Sequence, residues 1–174
     1  MKKLQRFLIK KTSRDFRFCR MSRPATFFKK KAIPPHITVV YPPFISEKKW
    51  LPEKEKFATC LRAFEPFKVT IWELGHFKGD SNILWRKPES DESLLRIHSA
   101  LEERFPEHVP SSRLGYVPHV TVGLFESQEA LFQAKETILS KWEILHFVVD
   151  EMFYAVLGGD GIWHIEDRLH LKNN

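Results

Sequence analysis

Pro35-His36-Ile37-Thr38-Val39 and Pro118-His119-Val120-Thr121-Val122 are two copies of one pattern, set 83 residues apart in a chain of 174. An offset of about half the chain has its simplest cause in a duplicated supersecondary unit, which implies two lobes related by an approximate twofold axis, one His in each. An aromatic follows each copy, Phe44 after Tyr41-Pro42-Pro43 and Phe125 after Gly123-Leu124. Strand side chains alternate between faces. His36, Thr38 and Val40 therefore share one face, with Ile37, Val39 and Tyr41 on the other; His119, Thr121 and Gly123 lie opposite Val120, Val122 and Leu124. The apolar faces pack on helices, leaving His and Thr to line whatever lies between the lobes. Proline before each His removes a ladder donor, which puts each His where its strand enters the sheet.

Outward from the repeat, Leu4 to Lys10 reads as a short strand, while Thr12 to Lys31 shows no sustained period. Ser46 is a candidate cap for a helix that Pro52 restarts or kinks, with Phe57, Leu61 and Phe64 on one face. Phe67 to Leu74 alternates and is rich in Val, Ile, Thr and Trp, so it reads as a strand paired, across Gly75 and Gly79-Asp80, with a second from Asn82 to Arg86. Ser90 caps the clearest helix, whose stripe is Leu94, Ile97, Leu101 and Phe105 and which Pro106 ends. His119 to Phe125 is a strand, and Ser127 caps a helix to about Trp142 with Leu131, Ile138 and Trp142 inward. Ile144 to Asp150, Met152 to Leu157 and Ile162 to Leu169 complete the strands. Strands in pairs between helices predict an antiparallel α+β fold.

Composition narrows the class. With 43% apolar and 29% charged residues the chain can bury one core. No apolar run approaches the roughly 18 residues of a membrane span, and Cys19 and Cys60 have neither metal nor disulfide-scaffold spacing. A cytoplasmic monomer with no membrane partner is expected. The net charge of +6 is uneven: residues 1–31 hold 12 of the 28 Lys and Arg and one of the 22 acids. The expected organisation is a basic segment over 1–31, loose or contributing a first strand and helix, followed by one two-lobed domain over 32–174. Such a segment suits a polyphosphate partner. A solvated leader is the bland alternative, and an organelle-targeting peptide fits poorly because the Phe-rich, Pro24-interrupted sequence makes a weak amphipathic helix.

An H-x-T pattern repeated across two half-domains resembles the two-histidine (2H) phosphoesterase superfamily, the 2′-5′ RNA ligase-like and cyclic phosphodiesterase proteins. Phe67-Lys68-Val69-Thr70, Gly75-His76-Phe77, Leu94 to Phe105 and the Gly159-Asp160-Gly161 turn look like its bacterial branch, with coverage from about Ala32 to the end. The resemblance implies a bilobal fold of two pseudo-twofold-related antiparallel sheets flanked by helices, with a central cleft. It further implies His36 and His119 as an acid–base pair, Thr38 and Thr121 on phosphate oxygens, no metal and no cofactor. The implied substrates are 2′,3′-cyclic phosphates or 2′-5′ phosphodiesters of RNA ends or small nucleotides. The amino terminus departs from the family, which has an apolar first strand and a helix before the first motif.

Rival readings follow from the residues themselves. A zinc site needs three or four ligands, and neither motif carries an adjacent carboxylate, thiolate or second His. His76, His98, His108, His146, His164 and His170 have no matched arrangement and read as surface or structural. The alternative from another class is a module that holds RNA ends or nucleotides without turning them over. Tyr41, Phe44, Trp72, Trp85 and Tyr116 offer ring faces for bases, although most aromatics in such a chain are core.

Overall fold

A computed structural model describes residues 5–10, 35–42, 44–77, 82–89, 92–109, 115–140 and 143–172. Among them the order is β1 (Gln5–Lys10), β2 (His36–Val40), α1 (Glu47–Leu61), β3 (Phe67–His76), β4 (Ile83–Pro88), α2 (Glu92–Arg104), β5 (Val120–Leu124), α3 (Gln128–Leu139), β6 (Leu145–Val149), β7 (Glu151–Leu157) and β8 (Trp163–His170). The fold is α+β, a curled antiparallel sheet with three helices among the described residues.

The two separate sheets expected from the duplication are corrected to one. All eight strands join in the order β6-β3-β4-β5-β2-β1-β7-β8. The two H-x-T strands, β5 and β2, form the middle pair, with three strands beyond each. Their pairing, Ile37 opposite Val120, fuses the halves. It also removes two open edges that separate sheets would expose. β1 sits inside this sheet, bonded to β2 on one side and β7 on the other. The basic amino-terminal segment thus begins as an interior strand, with Leu8 only 1% exposed. The unpatterned stretch from Thr12 to Lys31 lies outside the described residues.

One face of the sheet holds the main core. Ile37, Val39, Val69, Ile71, Val120, Met152, Tyr154 and Val156 pack there with Trp50, Phe57 and Leu61 of α1 and Leu94, Ile97 and Leu101 of α2. α1 runs from Glu47 to Leu61 through Pro52, which does not restart it as a separate helix. Proline in the second turn forfeits one bond, to the Lys48 carbonyl. That turn is held from outside, since Trp50 Nε1 and Lys54 Nζ both donate to Asp167 of β8, at 3.1 and 2.9 Å. Ser46 is the N-cap residue through its carbonyl, which accepts from Lys49 and Trp50, and not through its side chain. Ser127 caps α3 as expected, its hydroxyl accepting from Ala130. α3 ends at Leu139; Trp142 and Ser90 lie outside the described residues.

Register determines where the alternation of the two motifs stops. Partners along β1 and β2 run Leu8–Thr38, then Phe7–Val40, so Val39 is an extra residue. Along β4 and β5 they run Trp85–Thr121, then Leu84–Gly123, so Val122 is extra. Each bulge therefore falls on the residue after the threonine, and the duplication extends to backbone detail. A bulge resets which face follows. Val40 and Gly123, expected beside the His–Thr pairs, are turned to the core face instead: Val39 and Val40 are 0% and 1% exposed, and Gly123 pairs with buried Leu84. Gly123 also accommodates the Phe125 ring, 2.9 Å from where a Cβ would stand.

Candidate active site

Residues directly opposite in an antiparallel pair put their side chains on the same face. Ile37 and Val120 both point to the core, at 1% and 4% exposure. Counting outward from that pair sets His36 across from Thr121 and Thr38 across from His119, all four on the opposite face. The histidines are then diagonal neighbours, a relation that separates residues by about 7–8 Å, and their Cβ atoms by somewhat less. That spacing leaves room for one phosphate between two imidazoles. Thr38 is 8% exposed, and His36, His119 and Thr121 are half-buried.

His119 lies one residue before β5, and its ring is held at one nitrogen. Nδ1 is 2.8 Å from the Val117 carbonyl, which can only accept, so Nδ1 carries the proton. In the neutral ring the lone pair is then on Nε2. The Tyr41 hydroxyl also donates to the Val117 oxygen, at 3.2 Å, and its own oxygen stands 3.5 Å from Nδ1, where it can accept a weak, shared hydrogen bond from the Nδ1–H. Phe77 meets the imidazole edge-on, centroids 5.1 Å apart and planes at 87°. Burial lowers the His119 pKa below its ordinary value near 6.5, and the Val117 hydrogen bond opposes this less strongly. The neutral base is thereby favoured.

The first motif is braced from the second half. The bulged Val39 carbonyl accepts from His98 Nδ1 at 2.8 Å, so the residue the ladder omits is satisfied by α2. His98 stacks on Tyr116 at 4.1 Å, and the Tyr116 hydroxyl donates to the Thr38 carbonyl at 3.1 Å. Tyr41, after β2, thus reaches the approach to β5, while Tyr116, before β5, reaches back to β2. This reciprocal clamp crosses the junction where the ladder itself contributes the single pair Ile37–Val120 among the described residues. Both tyrosines are candidates for base stacking by sequence; the structure gives them bracing contacts. Sequence reasoning does not single out Phe77 or Val117 as site residues, and it places His98 rightly among structural histidines without finding its partner.

Among the described residues no three His, Cys, Asp or Glu side chains are grouped as a metal set. A recess of about 340 Å³ lined by Glu53, Glu55, Lys56, Thr59, Arg104 and Glu107 lies between α1 and the end of α2, away from the His–Thr face. Its Glu53 and Lys56 already pair at 2.8 Å. No helix among the described residues is long and apolar enough to cross a membrane.

A family model described as the 2′-5′ RNA ligase superfamily matches residues 13–161. The chain belongs to that superfamily. Its relatives within the 2′-5′ RNA ligase superfamily include the RNA 2′,3′-cyclic phosphodiesterase of Thermotoga maritima, 26% identical over 90 residues, 51% of this chain and 48% of that protein. A Bacillus licheniformis protein provisionally named a phosphoesterase is 28% identical over 139 residues, 80% of this chain and 81% of the relative. The chain spans about half the length of the Thermotoga protein and of two Geobacillus relatives it also matches. The fold is that of Escherichia coli LigT, with a TM-score of 0.63 at 15% identity over 98% of both chains. LigT has also been crystallised with 3′-AMP, with ATP and with NADP+. A Thermus thermophilus protein superposes with a TM-score of 0.62 at 17% identity, again over 98% of both chains.

Proposed function

We propose that this chain is a metal-independent phosphoesterase that opens 2′,3′-cyclic phosphates, or cleaves 2′-5′ phosphodiesters, at RNA ends or on small nucleotides. The single observation that carries the reading is the Ile37–Val120 register, which gives the two His–Thr pairs a common face. Two proton transfers at one phosphorus need one group ready to accept and one ready to donate, and imidazole serves both near neutrality. His119 is the base: its Nδ1–H is committed to Val117 and burial favours its neutral form, so Nε2 is left to take a proton from water. The water oxygen bonds to phosphorus as the P–O bond to one ribose oxygen breaks. His36, protonated, gives its proton to that oxygen. Thr38 and Thr121 hold the non-bridging oxygens, aligning phosphorus and offsetting charge as it builds.

Membership of a superfamily with an RNA 2′,3′-cyclic phosphodiesterase among its relatives supports the substrate class. The test is a panel of 2′,3′-cyclic nucleotides, 2′-5′ dinucleotides and cyclic-phosphate-ended RNA with purified protein. Turnover of at least one, lost in His36→Ala and His119→Ala, is expected. Tight RNA binding with no turnover on any of them would replace this reading with the binding module.

A further inference from the structure

The face that carries His119 does not end at β5. Phe77 touches the His119 ring and stands 5.8 Å from the Trp85 ring, so Trp85 of β4 is on the same side of the sheet. Trp85 lies close enough over β3 that a Cβ on its partner Gly75 would be 2.3 Å from the indole, so any larger residue there would have to displace the ring. Beyond it, Glu73 pairs with Lys87 while Ile71 pairs with Pro88, so Trp72 is an extra residue bulged out of β3. Its neighbours Val69 and Ile71 are core, which puts Lys68, Thr70 and Trp72 on the His119 side. β6 extends that side: Thr70 pairs with His146, their side chains bonded at 3.0 Å, and Lys68 pairs with Val148.

This outer part is open. Trp72 is 48% exposed and Val148 64%, and Lys68 and His146 are exposed as well. An indole thrust out by a bulge contributes nothing to the core, and bulges beside active sites commonly re-aim a side chain. Three strand spacings, about 14 Å, separate β5 from β6. At a stacked rise of ~3.4 Å per nucleotide that is a path for roughly four bases. The face also carries the exposed Glu73 carboxylate opposite Lys87, but an exposed ring beside Lys68 and hydrogen-bonding groups suits single-stranded nucleic acid, because every base offers a ring face and every linkage a negative charge.

We propose that the β3–β6 face binds the nucleotides that precede the terminal phosphate of a single-stranded RNA, with Trp72 stacking on one base and Lys68 meeting the backbone. The inference rests on the phosphoesterase reading and narrows it: the preferred substrate is an oligonucleotide end, not a free cyclic mononucleotide. The face runs continuously from the reacting residues, which orients the strand toward them.

The test separates the two readings by using binding and turnover independently. Fluorescence anisotropy with an eight-nucleotide, 2′,3′-cyclic-phosphate-ended RNA should show Trp72→Ala binding about 5- to 150-fold more weakly, the range that losing one stacked base spans. Trp72→Phe should recover most of it, and Leu51→Ala, an exposed apolar residue on α1 (72% exposed), should have no effect. Lys68→Gln should lower the salt dependence of binding by close to one phosphate contact. Turnover of 2′,3′-cyclic CMP should be the same in Trp72→Ala as in the parent. Unchanged RNA affinity in Trp72→Ala overturns the proposal, whatever the enzyme does to cyclic CMP. Absent turnover on all substrates with the Trp72 effect intact refutes the phosphoesterase reading and leaves this surface standing.

Discussion

Replacing Tyr116 by Phe removes one oxygen and tests how the two motif strands are held in register. The Thr38 carbonyl accepts from that hydroxyl at 3.1 Å in a partly buried setting, so its loss leaves an acceptor without this donor. Such a loss costs about 1–3 kcal/mol of stability, more than the roughly 0.5–1.5 kcal/mol of an average hydrogen bond. Tyr41→Phe removes the donor to the Val117 carbonyl at 3.2 Å, an exposed contact. It should cost at most about 1 kcal/mol of stability. The kinetic effects should rank the other way. Val117 also receives the His119 Nδ1–H, so loosening it loosens the base itself, and about 1 kcal/mol of lost transition-state alignment is roughly fivefold in kcat. Urea unfolding and steady-state turnover of a 2′,3′-cyclic nucleotide measure the two quantities. Tyr116→Phe should shift the midpoint more, and Tyr41→Phe should lower kcat more than it changes KM. Wild-type stability and kcat in the double variant would refute the clamp.

His36→Ala and His119→Ala should each lower kcat by about two to four orders of magnitude, and the double variant should be little worse, since residues acting as one unit are not additive. Catalytic efficiency against pH should be bell-shaped with its rising limb below pH 6.5, because burial lowers the pKa of the base His119; a rising limb above 6.5 would remove His119 from that role. The same lowered pKa means the unfolded chain binds more protons, so the His119 contribution to stability is full above about pH 6.5 and falls as pH drops toward the folded pKa, readable from urea midpoints. Turnover should survive exhaustive chelation; loss restored by added zinc or manganese would refute metal independence.

How far the sequence reaches is visible in the motifs themselves. Period two, with Ile37 and Val120 between His and Thr, is enough to assign each His–Thr pair to one face, and both apolar residues lie in the core. The helices are legible where local chemistry sets them: the Ser127 hydroxyl accepts from the first turn of α3, and Leu94, Ile97 and Leu101 form the buried stripe of α2. Pro52 does not begin a new helix because interruption is a local penalty, while Asp167, more than a hundred residues away, holds that turn from outside. Val40 and Gly123 mislead because a bulge is a property of two strands: nothing in His36–Val40 alone says that β1 will skip Val39. The same holds for one sheet in place of two, for the Tyr41 and Tyr116 contacts that cross between the motifs, and for Trp72 turned outward beside the site. Each depends on which strand becomes the neighbour, a choice made by long-range pairing and packing. Alternation and capping act within a few residues and can be read from the chain; register across strands 83 residues apart exists only after folding.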